Sequence, residues 1–181
     1  MKDRQMDRFS KNYEWFDQLF AGLESLYDKI GNALIAAELT TGNTHRAVEY
    51  NRSRPVMPKY YARSWRGKTY VIQIYAVLNP TKLGIQNVFN NNRSPSFIVV
   101  MHSRADRLGW YGGYGDQIIR FEQHKQTRVS QRVSGTISDG DGKGTRFHAF
   151  QLPLSTFVDG QNIEKAIQTQ IVDKLKKLPK L

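Results

Sequence analysis

The chain has 181 residues, 39% of them hydrophobic and 24% charged, with no cysteine and a formal net charge of +11. That profile is expected of an ordinary globular protein of one domain, residues 1–181, and it excludes disulfide frameworks, thiolate metal sites and thiol nucleophiles. No stretch approaches the ~18 consecutive apolar residues of a membrane span, residues 1–10 lack the apolar run of a secretory leader, and a cytoplasmic location is the expectation.

Residues 1–40 read as helix. Met6, Phe9, Tyr13, Phe16, Phe20, Leu23, Tyr27, Ile30, Leu34 and Ala37 recur at alternating gaps of three and four, a sustained heptad seam. Leu19, Leu26 and Ile35 widen the seam into a stripe, and the acidic Asp17, Glu24 and Asp28 fall off it. An unbroken helix over Met6–Glu38 would be about 50 Å long at ~1.5 Å per residue, longer than so small a domain is broad. The sequence therefore predicts either a break at Gly31-Asn32 or a projecting helix that pairs with a second copy as a homodimer.

Thr40–Thr44 stops the helix, and Pro55 and Pro58 predict irregular chain over Arg46–Lys59. The period then changes to that of strands. Tyr60–Trp65 and Thr69–Leu78 flank Gly67-Lys68, a hairpin signal. Phe97–His102 is a short apolar run expected to form a central strand. Gln117–Gln123, Thr127–Ile137 and Thr145–Leu152 complete the strand series within residues 60–152, with Ser138–Gly144 as a glycine-rich turn. Residues 160–178 predict a C-terminal helix with Ile163, Ala166, Ile167, Ile171 and Leu175 on one face. Helix, about six strands, helix, with no alternation, implies α+β: an antiparallel sheet with both terminal helices packed on it.

The functional signal is electrostatic. Residues 1–49 carry six basic and eight acidic groups, residues 50–105 nine and none, and residues 106–181 twelve and eight. Tyr60, Tyr61, Trp65, Tyr70 and Tyr75 are interleaved with the cations of the middle segment. Such a basic, aromatic stretch suits a polyanion, with nucleic acid first and an acidic protein partner next. The expected contacts are Arg52, Arg54, Lys59, Arg63, Arg66 and Lys68, with Tyr61 and Trp65 as stacking surfaces. Strand alternation puts Tyr61, Arg63 and Trp65 on one side. DNA or RNA binding without catalysis, and with no metal or cofactor, is the leading expectation.

Two enzymatic alternatives stand beside it. Asp141-Gly142-Lys143 with Asp116 or Glu122 has the spacing of a metal-dependent nuclease, although a triple-glycine turn is a poor place for a rigid ligand. His102 and His148 could converge for acid/base work if their strands are neighbours. Asp139-x-Asp141 lacks the remaining carboxylates of a calcium loop, and Gly142-Lys143-Gly144 lacks the hydroxyl of a phosphate-binding loop. Leu108–Gly115 is a glycine-aromatic loop without a nucleotide-binding fingerprint, a candidate wall for a binding surface. The assembly alternative rests on the N-terminal heptad helix. Lys174, Lys176, Lys177 and Lys180 suit a solvated helix end and complement its dipole.

Overall fold

A computed structural model describes residues 2–51, 54–78, 95–104, 126–129, 132–137, 144–157 and 162–181. The helix α1, Lys2–Ala36, is continuous, so Gly31 does not break it. It is followed by β1 (Thr44–Asn51), β2 (Arg54–Arg66), β3 (Val71–Val77), β4 (Ser96–His102), β5 (Gln126–Val129), β6 (Arg132–Ile137) and β7 (Thr145–Pro153). These form one seven-stranded sheet in the order β1-β2-β3-β4-β7-β6-β5, antiparallel at every pairing. A 3-10 turn at Leu154–Phe157 leads towards the C-terminal helix α2. That helix is α-helical over Ile163–Ile167 and Asp173–Lys176, with a π turn between them at Gln168–Val172. The fold is α+β, an antiparallel sheet with an N-terminal and a C-terminal helix.

The expected hairpin is present: β2 and β3 are joined through Gly67–Tyr70, and the Gly67 N–H donates to the Tyr70 carbonyl at 2.9 Å. β4 is the middle strand of the seven, and every residue of β3 and β4 is buried. Burial on both faces explains why Phe97–Met101 is continuously apolar rather than alternating.

Two expectations need correction. Arg46–Lys59 is not irregular; it supplies most of β1 and the start of β2, with register shifts around Tyr50. The prolines are tolerated because, among the described residues, β3 pairs with β2 only from Tyr60 onward, so residues 54–59 have β1 alone as a described neighbour. Thr127–Ile137 is not one strand but the hairpin β5–β6. The expected strand at Gln117–Gln123 lies outside the described residues.

One face of the sheet packs on both helices. Leu23, Tyr27, Ile30 and Leu34 of α1 and Ala166, Ile167, Ile171, Val172 and Leu175 of α2 share a core with Tyr61, Trp65, Ile72, Ile74, Phe97, Val99, Phe150 and Leu152. The expected apolar face of α2 is the one that packs, with Ile163 partly buried at its start. Among the described side chains of α1, core contact begins at Leu19 and runs on through Leu34. Glycine is needed at position 31 because a Cβ would meet Trp65 Nε1 at 2.9 Å, and core contacts of Tyr27, Ile30 and Leu34 on either side carry the helix through it. The Tyr27 hydroxyl reaches the sheet backbone, 2.7 Å from the Tyr61 carbonyl and 3.0 Å from the Ala76 N–H, which it accepts. Among the described residues no helix is long and apolar enough to cross a membrane.

Candidate anion-binding surfaces

The described residues expected to bind a polyanion are spread along the whole of β2 and the turn after it. Arg54 opens β2 and Arg66 closes it, so the two lie about 40 Å apart at ~3.3 Å per strand residue. Arg52 lies outside the described residues, and Lys59 sits in the part of β2 that pairs only with β1. Alternation does place Tyr61, Arg63 and Trp65 on one face, but α1 covers that face. Tyr61 is 4% exposed and Trp65 2% exposed, and their rings pack against Tyr27. Phe20 meets Tyr61 edge-on with centroids 5.5 Å apart. In this arrangement neither ring is open for a base to stack on; both belong to the core.

Arg63 is used internally as well. Its guanidinium bonds the carboxylates of Glu24 and Asp28 on α1 and lies 5.6 Å from the centroid of the Tyr27 ring. Glu24 also accepts from Arg46 of β1 at 3.3 Å. Two of the acids off the heptad seam, Glu24 and Asp28, are therefore counter-charges of β1 and β2. Along the sequence the acidic N-terminal region and the basic middle look separate. The fold sets part of each against the other.

Further cations gather at one end of the sheet. In register, Arg66, Val71, His102 and Phe147 lie side by side across β2, β3, β4 and β7. Just beyond that row come Lys68 in the β2–β3 turn, Arg104 after β4 and Arg146 at the start of β7. Lys68 and Arg146 are exposed, and Arg66 is half-buried with a buried Nε that has no hydrogen-bond partner. The end is rigidly made. Ser103 N–H donates to the Arg146 carbonyl at 3.0 Å and Arg146 N–H to Ser103 Oγ at 3.1 Å. The Thr41 N–H and the Thr40 hydroxyl both donate to the Arg66 carbonyl at 2.8 Å, which brings the loop bearing Glu38 to the same end.

A second basic cluster lies on the helix-covered face, at the flank formed by β6 and β7. Ser134 pairs with His148 and Arg132 with Phe150, so Arg132, Ser134, His148 and Phe150 share this face with Arg146. Lys174 of α2 sits 5.7 Å from the centroid of the Phe150 ring. Ser134 Oγ and His148 Nδ1 are 2.7 Å apart. Burial holds the His148 pKa below the ordinary histidine value. Arg132 and Arg146 push it the same way, and the nearby Pro179 backbone pulls it partly back. Burial also lowers Lys174 from the ordinary lysine value. No local sequence pattern reveals this cluster, because it needs the β6–β7 pairing and the position of α2 together.

The two-histidine alternative fails on register. β4 and β7 are neighbours, but His102 pairs with Phe147 and Met101 with His148. The imidazoles are one residue out of phase, and in a strand that places them on opposite faces. The nuclease residues Asp116, Glu122, Asp141 and Lys143 and the loop Leu108–Gly115 lie outside the described residues. Among the described residues no three His, Asp or Glu side chains gather as a metal site would require.

On the sheet face away from the helices, Tyr60 and Tyr75 meet edge-on and the Tyr75 hydroxyl donates to Gln73 Oε1 at 2.7 Å. Gln73 is fully buried, and its Nε2 has no hydrogen-bond partner. Comparisons of the chain with protein-family models, curated proteins and solved structures find no match.

Proposed function

We propose that this protein binds a polyanion, with nucleic acid as the partner, through the basic end of the sheet. The observation that supports this reading is the row of Arg66, Lys68, Arg104 and Arg146 spread over β2, the β2–β3 turn, β4 and β7. Strands ~4.8 Å apart carry those cations across about 15 Å, a span that meets several phosphates of one strand. Binding of this kind is mainly electrostatic, weakly selective for sequence and steeply dependent on salt. Tyr61, Arg63 and Trp65 drop out of the contact set, because they hold α1 to the sheet.

The test is fluorescence anisotropy with labelled single- and double-stranded DNA and RNA at several salt concentrations. Lys68→Glu with Arg146→Glu should weaken binding and flatten the salt dependence by about one unit of slope for each phosphate no longer neutralised. An unchanged slope in a folded variant removes this surface from the reading, and no binding by the native protein at low salt removes the reading itself.

A further inference from the structure

We infer that the β6–β7 flank beside the end of α2 is a binding site for a phosphate-sized oxyanion, with Arg132, His148 and Lys174 as its donors. The inference stands on geometry separate from the basic end of the sheet. Arg132 Nε and His148 Nε2 are both buried, and neither has a hydrogen-bond partner. A buried donor left without an acceptor is costly, and two on neighbouring strands compound the cost. Arg132 and His148 are diagonal neighbours on one face, since Arg132 lies opposite Phe150 and His148 opposite Ser134. Diagonal pairs of this kind sit about 7–8 Å apart at their backbones, within reach of one small anion between long side chains.

Each neighbouring group fits the assignment. The 2.7 Å contact of Ser134 Oγ with His148 Nδ1 fixes the ring. With the serine hydroxyl donating there, the imidazole carries its proton on the buried Nε2 as a neutral donor. The Pro179 backbone interacts with the ring and raises its pKa, yet leaves Nε2 without a hydrogen bond of good geometry. Lys174 is held over the Phe150 ring, opposite Arg132, so its ammonium comes from the helix while the guanidinium comes from the sheet. Arg146 adds a further positive charge along β7.

Of the acids of α2, Glu164 pairs with Lys29 of α1 at 2.6 Å, and Asp173 accepts from the Gln168 amide at 2.7 Å. Cationic and neutral donors arriving from β6, β7 and α2 suit a tetrahedral anion with several acceptor oxygens better than a flat carboxylate. The ligand class is therefore phosphate or a phosphate monoester, either free or at the end of a nucleic acid strand.

The experiment follows the histidine ring resonances of the full-length protein by NMR during titration with inorganic phosphate. Sodium chloride of matched ionic strength is the control, and His148→Asn assigns the ring. The expected result is a saturable shift of His148 in the millimolar range or tighter, absent with chloride, and a rise in its pKa as the anion binds. Arg132→Gln and Lys174→Gln should each weaken that binding by about tenfold, as loss of one charge-assisted hydrogen bond does. A native protein whose His148 resonances move no more with phosphate than with chloride overturns the site, whether or not the variants fold. A shift that folded Arg132→Gln and Lys174→Gln proteins reproduce unchanged overturns it too. A short oligonucleotide with and without a 5′-terminal phosphate identifies the source. Tighter binding of the phosphorylated form supports a site for strand ends, and a response to phosphate with indifference to the end supports a site for free phosphate compounds. Neither result depends on the basic end of the sheet, so the two readings fail separately.

Discussion

Arg63 on β2 and Arg132 on β6 face the same side of the sheet, and each has an aromatic ring beside it. Over Arg63 lies α1, which contributes Glu24, Asp28 and the Tyr27 ring. Beside Arg132 lies α2, which contributes Lys174, with Asp173 bonded to the Gln168 amide. The first arginine is neutralised and fastens a helix to the sheet. The second has a buried Nε without a hydrogen-bond partner. An arginine among aromatics thus has no functional meaning by itself; the element packed over it decides whether it serves as mortar.

The sharpest way to test that contrast is to remove the aromatic beside Arg63. Trp65→Ala empties a fully packed position against Gly31 and Tyr27 and should destabilise the protein by about 4 kcal/mol. In denaturant titration this appears as a large fall in midpoint, and any loss of polyanion binding should track the fraction unfolded. A stable Trp65→Ala protein that loses binding would return Trp65 to the contact surface.

Arg63→Ala comes next. It leaves Glu24 and Asp28 without their partner, and because Asp28 is largely exposed the expected cost is about 2 kcal/mol, below that of a fully buried pair. The same substitution in a Glu24→Gln, Asp28→Asn background should cost much less, and a double-mutant cycle measures the difference. Equal costs in both backgrounds would mean that the ion pairs contribute nothing.

The smallest effect belongs to the other flank. The His148 pKa is lowered in the fold, so between its folded and unfolded values the unfolded chain binds more protons. Stability should therefore fall as pH drops below about 6.5, the ordinary histidine value. His148→Asn should remove that part of the acid sensitivity in thermal melts at pH 7 and pH 5. An unchanged acid sensitivity would place the imidazole in water.

Much of the fold could be read from local pattern. The seam of α1 from Phe20 onward, the apolar run of β4, the glycine turn at Gly67 and the face of α2 each express one local rule, and tertiary packing agrees with it. What could not be read depends on partners distant in sequence. The prolines at 55 and 58 look disruptive until β2 is seen to outrun β3. The charge pattern of residues 50–104 looks like one surface until α1 takes Arg63 for itself. β4 pairs not with the next strand in sequence but with β7, and that register sends His102 and His148 to opposite faces while setting Arg132 beside His148. No window of sequence contains either fact.

The helices that close the core stand on either side of the sheet strands in chain order, and they meet at Lys29 and Glu164. Their shared core is therefore finished only when residues up to Leu175 are in place. During synthesis α1 and the sheet strands emerge before α2, and Phe97, Val99, Phe150 and Leu152 have no α2 to pack on until then. So high a contact order makes completion of the fold a slow, late event, with the half-covered sheet exposed to aggregation in the interval. A ribosome-bound chain halted before Ile163 should be protease-sensitive and sticky, and emergence of α2 should end that exposure.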